Sequence, residues 1–456
     1  MAGIFYNSVM LKERPQTQST LEFVCIDELV PHDHLLRKID RVIDFSFLHD
    51  LVKDFYCADN GRPALDPTLM FKLLFLGYLY GIRSERQLIR DTQVNVAFRW
   101  FLGLGLTDKV PDASTLSQNR IRRFNDSDVY QQIFDEIVLQ AKNKKLVSGA
   151  ILYTDSTHLK ANANKKHFNK IQVAQERQAY MDDLDKAIEE DRLAHGKKPL
   201  PPAKKEEKTR EIKQSTTDPD SGYMVRDTKP KGFFYLDHRT VDSQCNIITD
   251  VHVTPGNVHD AVPYLARLDR QQERFGFKVR CVGLDAGYFT SAICHGVEDR
   301  KLYAVMGYRR PTHKKGYFYK REYVYDAERD QYECPQKQLL IYKTTSREGY
   351  RHYQSDPIIC QYCPVKNKCT QNKNSVKTLT RHVWEDSKER VNEHRLTEVG
   401  RRLYARRKET VERSFADAKE LHGYRYARFR GIKKVQAQCL LTAAAQNMKK
   451  IALMVT

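Results

Sequence analysis

The sequence lacks regular cysteine pairing, internal repeats and any apolar stretch long enough for a membrane. Its ten cysteines are scattered along the chain. That argues against a disulfide scaffold and suits a reducing cytoplasm. The longest apolar run, Leu69 to Tyr80, is interrupted by Lys72 and falls short of the roughly 18–20 residues of a span. Its spacing reads as a buried core helix. No leader is recognisable, so the expected setting is the cytoplasm, with no membrane partner. Acidic residues are also in deficit: 58 Asp and Glu stand against 77 Lys and Arg, a formal charge of +19. The excess is densest at 119–123, 197–213, 400–408 and 424–434. One such patch is commonly a solvated face. All of them together point to a polyanion, because phosphate neutralisation dominates nucleic-acid affinity.

At 456 residues the chain exceeds one ordinary domain. Residues 1–147 read as a helical domain. Asp66-Pro67 starts a helix over 67–81, with Asp as cap and Pro at the first position. A second helix is expected over 85–101. A third follows Pro111-Asp112 and carries Asn119, Arg120, Arg122 and Arg123. This pattern suits a DNA-docking domain of helix-turn-helix type, with Arg120 and Arg123 as candidate contacts. An ordinary helical domain with solvated arginines is the plainer alternative.

From 148 the pattern changes to strands, at 149–155, 232–241, 244–254, 279–285 and 302–307, with helices at 259–275 and 290–300. Three hairpin-linked strands, then helix-strand-helix-strand, is the order of a ribonuclease-H-like α/β sheet. The predicted class is therefore mixed α/β: a helical N-terminal domain and a ribonuclease-H-like core over 148–308. Weak alternation in the central strands fits a sheet covered on both faces. A charged insertion occupies about 165–230, with a helix over 172–192 and a linker around Gly196–Pro202. A cysteine-bearing insertion fills 309–395. Helices in 396–456, at 397–421 and 432–453, complete the core.

Two apolar runs end on an aspartate: Ala150 to Asp155 and Val279 to Asp285. A buried strand ending in a carboxylate places an anion at the rim of a sheet, where the strand becomes a turn. Glu412 follows on a helix, with Lys408 one turn before and Lys419 two turns after. Three such carboxylates suffice for two Mg²⁺ or Mn²⁺ ions, which take oxygen ligands and retain waters. Such a pair activates an attacking hydroxyl and stabilises a departing oxygen, chemistry that suits a phosphodiester.

Cys334, Cys360, Cys363 and Cys369 form a second constellation. Cys360-x₂-Cys363 is a metal half-site, and four thiolates suit a closed structural zinc. Unligated cysteines are the alternative. The run Tyr424 to Arg430 interleaves rings with Arg425, Arg428 and Arg430, a pattern able to clamp phosphates and stack on bases or to pack beneath the last helix. Trp384 is a candidate wedge for a flipped base, though a lone Trp more often packs locally.

The ordered motifs resemble bacterial insertion-sequence transposases of the DDE class, in the broad group of the IS4, IS5 and IS1182 families, nearest the IS1182-like ones. The motifs are Gly61 to Pro67, Pro111 to Thr115, Tyr153 to Thr157, Asp218 to Asp220, Val253 to Asp260, Leu284 to Tyr288, Val411 to Phe415 with Lys419, and Arg428 to Gly431. One motif alone is weak; the ordered set is specific. The resemblance implies metal-assisted cleavage at the element's terminal inverted repeats, then attack of the freed 3′-hydroxyl on target DNA. It makes Asp155, Asp285 and Glu412 the catalytic metal ligands, double-stranded DNA the partner, and a homodimer the working synaptic form on the bacterial nucleoid. The related signature has Tyr and Arg seven and four places before the glutamate. Those positions hold Ala405 and Lys408 here, with Tyr404 and Arg407 one place off. Lys408 then substitutes as a phosphate contact, without the arginine fork. A transposase-derived DNA-binding protein without catalysis, or a metal-dependent nuclease without strand transfer, are the competing readings.

Overall fold

The computed structural model describes residues 23–56, 64–124, 126–174, 180–201, 209–226, 229–310 and 312–455. The start of the expected N-terminal domain, Gly61 to Pro63 of its first motif, residues 175–179 of the expected 172–192 helix, and the end of the charged linker at 202–208 lie outside them.

The N-terminal part is helical, as its apolar spacing predicts. Asp66 caps the helix Pro67–Leu79 by accepting from the amides of Thr68 and Leu69. The expected helix over 85–101 is two, Glu85–Val94 and Val96–Leu102. The break falls at Asn95, whose side chain accepts from the Phe98 amide at 3.0 Å and caps the second piece; a strong local cap competes with helix continuation. Helices Ala113–Arg122 and Val129–Asn143 follow.

The strands are β1 (Ile151–Lys160), β2 (Phe168–Ala174), β3 (Thr209–Ser215), β4 (Gly222–Arg226), β5 (Lys229–Asp242), β6 (Ile248–Pro255), β7 (Cys281–Leu284) and β8 (Tyr303–Met306). The spatial order β6-β5-β1-β7-β8 has β6, β5 and β1 antiparallel and β7 and β8 parallel to β1. This is the ribonuclease-H-like order. The helix Tyr264–Phe275 connects β6 to β7, and Ser291–Asp299 connects β7 to β8. β2, β3 and β4 extend the sheet along the other half of β5, so part of the charged insertion is strand rather than linker.

A second sheet lies within the cysteine-bearing segment: β9 (Val324–Asp326), β10 (Gln331–Glu333), β11 (Leu339–Thr345), β12 (Tyr350–Ser355) and β13 (Thr378–His382), paired in chain order. The helix Met181–Ala194 of the charged segment docks on it. Buried Asp191 pairs with Arg351 at 2.6 Å, and Arg192 donates to the carbonyl of Thr345 at 2.9 Å.

The C-terminal helix Ile432–Val455 packs on β6 and on the helices Leu35–Val42, Pro67–Leu79 and Val129–Asn143. One apolar core therefore runs from the N-terminal helices through the sheet to this helix. Gln446 and Asn447 are buried within it but hydrogen-bonded, Asn447 to both backbone groups of Ile248. Among the described residues no helix is long and apolar enough to cross a membrane.

Candidate active site

β1 and β7 pair in parallel, and their last rung joins Thr154 to Leu284. Asp155 and Asp285 are the next residue on each strand, so they stand side by side. β7 ends there, in a short turn over Ala286–Tyr288. β1 does not become a turn at Asp155; it runs on to Lys160, because it stays paired with β5 through Lys160 and Phe234.

Glu412 arrives between Lys408–Glu412, which is π-helical, and the α-helix Arg413–Leu421. Val411 and Phe415 are buried against the sheet. Ser414 lies beside a fully buried arginine, Arg239 on β5. That guanidinium pairs with Asp237 at 2.7 Å and reaches Gln446 at 2.8 Å, while Tyr424 donates to the same Asp237 at 2.7 Å. A buried charge needs partners of this kind, and this network fixes the terminal helices on the strand that neighbours Asp155.

The three acids converge on Arg407. Its guanidinium lies 2.7 Å from Asp155, 3.5 Å from Asp285 and 3.8 Å from Glu412. The Arg407 side chain is 4% exposed, against 21%, 50% and 46% for the acids. Tyr404 lies beside it, its hydroxyl 3.2 Å from the Arg407 Nη1. Tyr404 can approach because residue 307 is glycine: a Cβ there would meet the hydroxyl at 2.7 Å. The arrangement is possible because the backbone amide of Glu412 bonds the carbonyl of Arg407, a five-residue turn. The turn absorbs one extra residue and returns Arg407 to the face of Glu412. Arg407, not Lys408, thus points at the acids; Lys408 is exposed. Counting by 3.6 residues per turn misses this.

Burial pushes the Asp155 carboxyl up to about 6, with Arg407 opposing the shift and Asp285 and Asp260 adding to it. Lys419, on the helix after Glu412, donates to the Thr157 hydroxyl at 2.8 Å and so stands beside β1 two residues past Asp155.

Residues 24–122 match the family model described as Transposase domain (DUF772), and residues 333–452 match that described as Transposase DDE domain. The two matches support a DDE transposase. The DDE match spans Arg407, Glu412 and Lys419 but begins after both aspartates, so Asp155 and Asp285 enter the site on geometry. No curated protein matches the chain. Among solved structures the chain is similar to the Mos1 mariner paired end complex with Mn, at 13% identity and a TM-score of 0.16, over 55% of this chain and 62% of that one. A likeness that weak supports no conclusion about the chain.

The other candidates are placed as follows. Arg120 pairs with Glu85 and lies 4.2 Å over the Phe429 ring. Arg123 bonds Asn119 and lies 4.3 Å over Tyr56. Arg428 is half-buried 4.5 Å over Tyr78. These three tie the N-terminal helices together and to the C-terminal run. Arg425 and Arg430 are exposed, Arg425 paired with Glu420 and Arg430 donating to the Asn162 carbonyl at 3.0 Å.

Trp384 is not a wedge. It is 7% exposed and stacked on His295 at 4.4 Å. The zinc expectation also fails to find support. Cys334, Cys360, Cys363 and Cys369 line one cavity of about 270 Å³, but among the described residues no three His, Cys, Asp or Glu side chains are arranged to hold a metal ion. Cys360 bonds the Ser355 hydroxyl and Cys369 the Tyr323 hydroxyl, each at 3.2 Å. Hydroxyls thus take up two of the four sulfurs, a competition that spacing cannot reveal. The three acids surround the Arg407 guanidinium.

Proposed function

We propose that the chain is an insertion-sequence transposase, of the IS1182-like kind, that cleaves DNA at the element's ends and joins the freed 3′-hydroxyl to target DNA. The observation that carries this reading is the convergence of Asp155, Asp285 and Glu412 on one positive charge at the rim of the sheet. The donor set fits hard divalent cations: three carboxylates, partly open to solvent, already gathered round a cation. Asp155, Asp285 and Glu412 would hold two Mg²⁺ or Mn²⁺ ions. When bound, such ions make a hydroxyl nucleophilic near neutral pH and stabilise the departing oxygen.

The residues supply the rest. Lys419, steadied on Thr157, would contact the scissile phosphate, and exposed Lys408 on the same segment would offer a second phosphate contact. In the first step a water oxygen attacks phosphorus and the element's 3′ oxygen leaves with a proton. In the second that 3′-hydroxyl attacks a target phosphodiester and displaces the target's own 3′ oxygen. Two ends require two such sites, hence a homodimer on double-stranded DNA. The basic surface supplies non-specific affinity.

The test is cleavage of a labelled duplex carrying the flanking genomic ends, with Mg²⁺ and with EDTA, by the parent and by Asp285→Ala. Metal-dependent 3′-hydroxyl ends made by the parent and lost in the variant support the reading. Cutting without joining to target DNA marks a nuclease. Tight end binding without cleavage by either protein marks a DNA-binding protein and withdraws the metal assignment.

A further inference from the structure

Asp260, which closes the run Val253 to Asp260 after β6, lies beside the acids but has no role in the proposed chemistry. The turn between β6 and the helix Tyr264–Phe275 carries it back to the site. One oxygen, Oδ1, accepts a hydrogen bond from the Ser156 hydroxyl at 2.8 Å. Ser156 directly follows Asp155, and its amide donates to the Asp155 Oδ1 at 2.8 Å. The other oxygen, Oδ2, faces the turn after Asp285: a Cβ at Gly287 would lie 3.3 Å from it. Asp260 therefore touches both segments that carry the two aspartates. Its charge is felt by Asp155. It is also felt, together with that of Asp155, by Tyr288 of the same turn. The Tyr288 side chain is 1% exposed and its hydroxyl has no partner among the described residues.

We propose that Asp260 is a positioning residue of the metal-binding centre, holding Ser156 and the Gly287 turn so that Asp155 and Asp285 keep the separation that divalent ions need. It acts through its neighbours: one of its oxygens is occupied by Ser156 and the other lies against Gly287. The glycine follows from the same contact, since a larger residue would press on the carboxylate. This inference rests on the proposed metal-binding reading. Removing a group that orients a metal ligand commonly weakens affinity about 10–100-fold.

The experiment is a Mn²⁺ titration of the full chain followed by electron paramagnetic resonance, with melting in EDTA as the check on folding. The variants are Asp260→Ala, Asp260→Asn, Ser156→Ala, the double Asp260→Ala/Ser156→Ala, and Asp155→Asn. Asp260→Ala is expected to bind Mn²⁺ at least about tenfold more weakly than the parent. Ser156→Ala should match it, and the double should be no weaker than the worse single, because the two act as one unit. Asp260→Asn keeps an acceptor for Ser156 and should restore most of the affinity. Parent-like affinity in Asp260→Ala, with binding lost in Asp155→Asn, overturns the proposal and leaves the metal site standing. An Asn variant as weak as Ala overturns it too, because the charge itself would then be needed. A parent that binds no Mn²⁺ removes the metal reading and this inference together.

Discussion

Arg407 is the residue on which the site balances. A guanidinium 4% exposed has lost most of its hydration, and only the surrounding carboxylates repay that cost. The acids gain as well. Three like charges gathered at one rim repel each other, and Arg407 is the cation that lets them stay close. The pair with Asp155 is the tightest, at 2.7 Å. Breaking a buried pair by removing one partner costs about 3–5 kcal/mol, and the partial exposure of Asp155 places this case at the low end. Arg407→Gln is therefore expected to melt several degrees below the parent in EDTA. Divalent ions supply the missing charge, so Mn²⁺ should raise the melting temperature of the variant more than that of the parent. Melts of both proteins with and without Mn²⁺ decide it; equal shifts would mean that Arg407 and the ions do not address the same acids.

At the scale of elements, the turn over Lys408–Glu412 explains what the sequence shows and what it hides. Asp155 and Asp285 are legible because a buried run ending in a carboxylate is rare enough to notice, and parallel pairing of β1 with β7 brings them together. The sheet order is legible for the same reason, from the alternation of strand and helix. Arg407 is not legible from spacing, because a single π turn moves every residue before Glu412 by one position, and periodicity assumes α geometry throughout. The packing of the thiols and of Trp384 is not legible for another reason. Their pattern is compatible with metal or DNA, yet Ser355, Tyr323 and His295, all distant in sequence from part of the set, supply the actual partners.

The π turn makes a prediction of its own. Removing exposed Glu409 leaves Arg407 and Glu412 at α-helical spacing, so the extra residue is absorbed and the acid cluster is kept. The deletion should shift the melting temperature by less than about 1–2 °C, roughly 1 kcal/mol at this size. Removing exposed Ala416 from the α-helix Arg413–Leu421 instead rotates everything after it by about 100°, which turns Lys419 away from Thr157 and costs far more. Melting curves of the two deletions compare them directly. A Glu409 deletion as damaging as the Ala416 deletion would show that the turn is required in itself.

Across the whole molecule the cores are unequal. One apolar cluster unites the N-terminal helices, the eight-stranded sheet and the C-terminal helix. The second sheet has its own small core around Tyr332, Leu340 and Tyr353. A third cluster, Leu184, Ile188 and Trp384, joins the helix Met181–Ala194 to the chain after β13. The helix Met181–Ala194 and the second sheet thus form one accessory unit through Asp191, Arg192 and Arg351. That unit is fastened to the main body through the helix Glu385–His394, whose Val391 is buried in the main core, with Trp384 on His295 and Arg390 paired with Glu298 beside it. The second sheet keeps a core of its own, far smaller than the main one, and regions with so small a core open at lower free energy than the main core. Calorimetry should resolve two transitions. Leu340 and Ile133 are both fully buried, and truncating either to alanine costs about 2–5 kcal/mol. Leu340→Ala should lower only the first transition and Ile133→Ala only the second. A single transition lowered by both would make the accessory unit part of the main cooperative fold. If the two separate, the second sheet and its docked helix are free to move on DNA without loosening the acids, because Glu412 is anchored by the Arg239 network and not by the second sheet.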